Sequence, residues 1–242
     1  MTNKADQVFS DHRHGTVSNT ELVKLVSSRL AEVADPAKAG PMAAYMKTDM
    51  PFYGVSSPLR RPIAKEIRER FPPAGNDEYR GQVTALWELP HREEKYLALD
   101  IATARRRFIT FENIDLYERL IRGGAWWDFV DEVAAHLVGR VVLIDRPRMR
   151  PILEAWINDP DMWIRRTAIL CQTRHKNNTD TEMLFDFCRR RAHEKEFFIR
   201  KAIGWALREY AKVDPEAVRA FLDINHERLS GLSLREASKH LG

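Results

Sequence analysis

The sequence predicts an all-α fold built as an array of helical repeats. Apolar residues recur at three- and four-residue steps along most of the chain beyond residue 18. No stretch alternates apolar and polar residues with period two over strand length, so no sheet is expected. Similar helical segments also return at a nearly fixed step. Arg61 in LRRPIAKEI, Lys95 in EEKYLALDIA, Asp131 in WWDFVDEVAAHL, Arg166 in IRRTAILCQ, Lys201 in IRKAIGWAL and Arg235 in LSLREASKHL are separated by 34, 36, 35, 35 and 34 residues. A step in this range marks helix pairs that cannot bury their apolar faces alone and stack into a superhelix with a concave side. Equivalent positions then line up along that side, and five of these six are cationic.

Taken in order, residues 1–17 are polar, lack helical periodicity and read as a flexible tail; with no further ligands nearby, His12-Arg13-His14 in it is not read as a metal site. Residues 18–242 read as a single repeat domain. A capping-box pattern, Ser18-Asn19-Thr20-Glu21, starts the first helix, which runs to about Ala34. Pro36 opens the second, which carries Tyr45. Pro51 to Pro58 is a loop broken at Gly54, and Ser57 is placed to cap the helix holding Arg60 and Arg61, with Pro58 in its first turn. That helix stops at Phe71-Pro72-Pro73. Helices follow at about 76–88, 92–106, 112–121, 125–138, 147–157, 161–175, 180–192, 196–212 and 215–224, with a last short one after Ser233.

The chain has 242 residues, 39 Lys and Arg against 35 Asp and Glu, a net charge of +4 and a pI near 9.1, a mild hint of an acidic partner. No apolar run reaches membrane-spanning length and no signal peptide is visible, so no membrane association is expected. Cys171 and Cys188 fall in helical segments without a CxxC pattern, which fits core filler in a reduced, cytoplasmic compartment. No metal site, P-loop or GxSxG elbow is present.

The segment Glu196 to Lys212 has two contrasting faces. Ile199, Ile203, Ala206, Leu207 and Tyr210 form an apolar stripe, while Lys201, Trp205, Arg208 and Lys212 set a large aromatic among cations. Trp127 and Asp131, four apart at a helix start, share a face, whereas Phe129, Val133 and His136 point to the core. Trp127 and Asp131 therefore join Arg166, Lys201 and Trp205 on one strip. Lys and Arg in a groove suit phosphates, and Arg166 is placed to grip one in a bidentate manner. A carboxylate there weakens pure backbone binding. It becomes useful where positive charge develops, as on a sugar during cleavage of an N-glycosidic bond. The competing reading for Asp131 is an ion pair with Arg166 or another groove cation, and that for Trp205 is packing over a neighbouring helix. Trp126 points to a neighbouring helix, and Trp87, Trp156 and Trp163 read as packing.

The segments AAYMKTDMPFYGV, WWDFVD, WIRRTAIL, FFIRKAIGWALREYAK and LSLREASKHL resemble the AlkD-type DNA alkylation-repair glycosylases, from about Pro41 to the C-terminus. The resemblance implies HEAT-like repeats in a C-shaped solenoid with a concave DNA-binding groove. It implies hydrolytic excision of cationic N3- and N7-alkylated purines, such as 3-methyladenine and 7-methylguanine, from duplex DNA, with no cofactor or metal. The lesion would be captured while stacked in the duplex. The family's catalytic Asp and two groove Trp match Asp131, Trp127 and Trp205. Its phosphate-binding Arg matches Arg166, and a Tyr lining its site matches Tyr45. Lys201 and Arg208 are added as DNA contacts from the cationic face. With no lysine needed as a Schiff-base nucleophile, a monofunctional, monomeric glycosylase is expected. The alternative is a non-catalytic helical-repeat scaffold for nucleic acid or protein.

Overall fold

In the computed structural model the backbone is described for residues 5–241 and side chains for residues 19–241. Every regular element among the described residues is helical. The chain divides into two compact units, residues 1–108 and 109–242.

The first unit holds α1 (Ala5–Glu32), α2 (Pro36–Met46), α3 (Ser57–Arg70), α4 (Asn76–Trp87) and α5 (Arg92–Ala104). Helical backbone begins at Ala5, ahead of the Ser18 start expected, because no proline interrupts the chain there and the preceding turns take up the N–H groups that a cap at Ser18 would have satisfied. Residues 1–4 of the expected tail, and the side chains of His12 and His14, lie outside the described residues. Leu22, Val26 and Leu30 recur every fourth residue on α1 and are fully buried, where α1 packs on α3, α4 and α5. Ser56, not Ser57, occupies the N-cap of α3, and its side chain makes no cap bond. The loop before α3 is held by a buried carboxylate: Glu93 accepts from the backbone N–H groups of Tyr53, Gly54 and Val55 at 3.1, 2.9 and 2.9 Å. Lys95 departs from the cationic strip expected of it. Its ammonium is half-buried and donates to the carbonyls of Trp87 and Leu89, which end α4, and burial lowers its pKa.

The second unit holds α6 (Ile114–Gly124), α7 (Trp127–Glu132), α8 (Gly139–Ile144), α9 (Arg146–Trp156), α10 (Met162–Leu170), α11 (Thr181–Arg191), α12 (Phe197–Ala211), α13 (Pro215–Asn225) and α14 (Gly231–Ala237). Aspartates start many of these helices. Asp161, Asp180 and Asp214 accept from the N–H of Trp163, Met183 and Ala217 at 2.8, 3.0 and 2.9 Å. Ser230 does the same for Ser233 at 3.0 Å, so α14 starts ahead of the position expected after Ser233. The α12 stripe of Ile199, Ile203, Ala206 and Leu207 is buried as its periodicity predicts, each large side chain contributing about 1.5–3 kcal/mol. Tyr210 leaves that stripe, being partly exposed with its hydroxyl 2.7 Å from Thr181 Oγ1. Cys171 and Cys188 are free thiols in the core, both pushed up to about 12 by burial.

Two differences from the expected boundaries shape the site. The helix expected at 125–138 continues to Ile144 through a π-helical segment, Val133–Val138, joining α7 to α8. Gly139 ends that segment where a Cβ would meet the Cys171 carbonyl oxygen at 2.3 Å, so only glycine allows the two backbones this close. The helix expected at 161–175 stops at Leu170. The Gln172 amide clamps the backbone of Asp180 through bonds of 3.1 and 2.8 Å, and His175 Nε2 lies 2.7 Å from the Gly139 carbonyl oxygen. These contacts pull residues 171–180 out of the α-helix into a closed loop that holds a 3-10 turn at Lys176–Asn178.

The repeat step reappears in the second unit as ion pairs. Arg122 meets Asp159 at 2.7 Å, Arg190 meets Glu154 at 2.6 Å and Lys201 meets Glu236 at 2.7 Å, over 37, 36 and 35 residues. Each pair ties one repeat to the next.

Candidate functional site

The site begins at the turn before α7. Trp126 takes the N-cap position in extended conformation and packs its ring on Trp163 and Phe198, at centroid distances of 5.9 and 5.4 Å. With Trp126 anchored inward, as its sequence context predicts, Trp127 faces a cavity. Asp131 follows one helical turn later on the same side. Trp205 reaches the same cavity from α12. The cavity measures about 1040 Å³ and lies within the second unit, with Trp127, Asp131, His136, Arg174, Trp205 and Tyr210 on its walls.

Arg166 is not placed as expected. The guanidinium predicted to face a phosphate is only 3 % exposed. Its Nε and Nη2 donate to Asp131 Oδ1 and Oδ2 at 2.7 and 2.8 Å, and its Nη1 donates to the Phe198 carbonyl. All three directions of the fork are used inside the protein. The ion-pair reading of Asp131 is therefore realised, yet the carboxylate still lines the cavity. Each of its oxygens spends one lone-pair direction on Arg166 and keeps another. Burial pushes the Asp131 carboxyl above the usual aspartate range, opposed by the two hydrogen bonds and the charge of Arg166 and reinforced by Asp128. The guanidinium fixed beside it favours the ionised form.

His136 also differs from the sequence reading, which turned it into the core. The π segment adds a residue to the turn and so rotates the ring into the cavity. Its Nε2 lies 3.7 Å from Glu132 Oε2, and burial with the charge of Arg174 lowers its pKa, which favours the neutral imidazole. No local signal in the sequence announces that turn.

Lys201 and Arg208 lie on the α12 side facing α14. Both meet Glu236, at 2.7 and 2.8 Å, and Lys239 meets the same carboxylate at 2.8 Å. Lys201 and Lys239 hold the Glu236 carboxyl down at about 2. The repeat step from Lys201 reaches Arg235, which is exposed, and Glu236 is the adjoining residue turned inward. That one-residue offset hid Glu236 from the spacing argument.

Tyr45 belongs to the first unit. It is 76 % exposed and borders a shallow apolar groove of about 530 Å³ with Pro41, Met42 and Tyr96. Trp87, Trp156 and Trp163 are buried, as read from the sequence. Among the described residues no group of His, Cys, Asp and Glu is arranged to hold a metal, and no helix is long and apolar enough to cross a membrane.

Chemically, the cavity offers a carboxylate whose position is fixed by Arg166, two indole rings, an imidazole and open volume. Such a wall favours a cation, or a centre that becomes cationic, placed against it.

The chain can be set beside known proteins on these grounds. The sequence model described as DNA alkylation repair enzyme matches residues 26–241. A solved structure described as a predicted DNA alkylation repair enzyme from Enterococcus faecalis superposes with a TM-score of 0.80 at 29% identity, covering 86% of this chain and 97% of that one. Comparison with curated proteins gives no match.

Proposed function

Since the chain belongs to the DNA alkylation repair enzyme family, we propose that it is a monofunctional, AlkD-type DNA glycosylase. It hydrolyses the N-glycosidic bond of cationic N3- and N7-alkylated purines in duplex DNA, as a monomer and without a cofactor. The observation that carries this reading is the Asp131 carboxylate, fixed through both oxygens by buried Arg166 on a cavity wall shared with Trp127 and Trp205.

In this reaction the bond between the sugar C1′ and the purine N9 breaks, and its electron pair moves into the base. That pair cancels the charge introduced by alkylation, and the base leaves neutral without needing a general acid. Positive charge passes to the sugar, where Asp131 and the two indole faces stabilise it. Water adds through oxygen to C1′ and gives up a proton, which Asp131 accepts and returns to solvent. Arg166 keeps the carboxylate ionised and in place, so no reorganisation accompanies the charge development. Lys201 and Arg208 hold backbone phosphate, and Tyr45 contributes to the DNA-binding surface of the first unit.

The test is release of 7-methylguanine from a duplex carrying a single such base, with D131N beside the wild type. Release by the wild type that falls at least about 100-fold in D131N, with undamaged-duplex affinity retained, is the expected result; removal of one preorganised electrostatic group has an effect of this order. Release by neither protein, with DNA binding intact, would move the assignment to a non-catalytic DNA-binding array or a different lesion.

A further inference from the structure

The side of α12 that meets α14 is built around a close approach. At Gly204 a Cβ would sit 2.4 Å from Glu236 Cβ and 2.9 Å from the Ser233 carbonyl oxygen. Only glycine lets the two helices come this near. The approach delivers the Glu236 carboxylate between Lys201 and Arg208, which stand seven residues apart on one side of α12, above and below Gly204. Ser233 fixes the other end of the contact, its hydroxyl donating to the Arg200 carbonyl at 2.9 Å. Lys239, from the turn after α14, closes on the same carboxylate at 2.8 Å.

The charges in this cluster do not balance. Three cations share Glu236, and the second carboxylate near Arg208, Glu209 at 3.9 Å, is already engaged by Lys212 at 2.6 Å. The Glu236 side chain is only 8% exposed, while those of Lys201 and Lys239 are 39% and 50% exposed. The anion is thus at the back and spare positive charge at the front. A cluster built only to join two helices needs one cation per carboxylate. This one gathers excess charge on a rigid base, which is how an anion site is preorganised.

We propose that Lys201, Arg208 and Lys239, gathered on Glu236, form one binding site for a phosphodiester of the DNA backbone, with Lys239 a direct contact and Glu236 the positioning residue. The site shares α12 with Trp205, so a strand held there is anchored to the same rigid element that presents an indole to the cavity. This assignment rests on the reading of the chain as a DNA-binding enzyme. It adds a contact from the C-terminal segment and gives the buried Glu236 a purpose.

Affinity for an undamaged duplex, followed by fluorescence anisotropy across a salt series, tests the site. In the wild type, log Kd should rise steeply with log salt. K239M should lower that slope by about 1, the value for one lost phosphate contact, and weaken binding about 3- to 10-fold at low salt. In an E236Q background, where Lys239 is no longer held in place, K239M should lose more than half of its effect on the slope. E236D, which keeps the charge but withdraws it by one methylene, serves the same purpose should E236Q melt early. Salt-dependent binding by the wild type with an unchanged slope in K239M overturns this site and leaves the DNA reading standing. Additive effects of K239M and E236Q overturn the positioning role. A wild type whose DNA binding ignores salt overturns the DNA reading itself.

Discussion

Asp131 and Glu236 are two carboxylates held by cations one repeat away, Arg166 and Lys201, each 35 residues distant in sequence. Their surroundings drive them apart. Asp131 has one partner, and burial dominates, raising its pKa. Glu236 has three partners, and its carboxyl sits at about 2. A carboxylate saturated by cations has little charge left to offer, whereas one held by a single guanidinium keeps lone pairs and unscreened charge towards the cavity. The same pairing device, repeated along an array, leaves a carboxylate open to a cavity in one place and buries one beneath cations in the other.

The largest effect should separate these two most sharply. At saturating DNA, D131N should cost far more of the release rate than E236Q does, and losses of equal size would erase the distinction. Next comes Arg166→Gln. It strands a buried charge, and breaking such a pair costs about 3–5 kcal/mol, so a fall in Tm should accompany a loss of release of roughly 100-fold. Stability lost without any change in rate would reduce Arg166 to packing. Smaller again, W127L and W205L should each slow release about 3- to 30-fold, the range of a cation–π contact of ~0.5–2 kcal/mol. An effect on affinity alone would assign the indoles to DNA binding.

The smallest effects are on pH. In the proposed mechanism release needs ionised Asp131, and burial raises its pKa, so the acid limb of the rate profile should lie above the unperturbed value of ~3.9. For stability the signs differ. Glu236 has a lowered pKa, so its contribution is present above its unfolded value of ~4.3 and is lost as pH falls towards about 2. Acid melts of the wild type should lose stability in that window, and E236Q should flatten it. Asp131, with a raised folded pKa, gives the opposite sign: protonation is favoured in the fold, and its contribution declines as pH rises through the folded pKa.

Much of this was legible in the sequence where one helix acts alone. The α12 stripe, the inward Trp126 and the shared face of Trp127 and Asp131 follow from helical spacing. The 35-residue step placed Asp131, Arg166 and Lys201 as equivalents in successive repeats. What escaped depends on contacts between helices. Periodicity places Arg166 on a face, but the Phe198 carbonyl and the Asp131 oxygens decide that its fork turns inward. Lys95 likewise satisfies carbonyls at the end of α4, which spacing cannot anticipate. A regular helix would turn His136 to the core, whereas the chain forms a π turn there. Glu236 was missed by one residue because the repeat step tracks the exposed Arg235.

Arrays of this kind are modular, and units can in principle be duplicated or removed with the remainder still stacking. The Asp131–Arg166–Phe198 chain of contacts spans three successive units, each supplying one member. A cut or insertion of one unit between them would leave well-formed helices on both sides but separate Asp131 from the guanidinium that holds it. Keeping this chain of contacts therefore constrains the length of the stretch more tightly than stacking alone does.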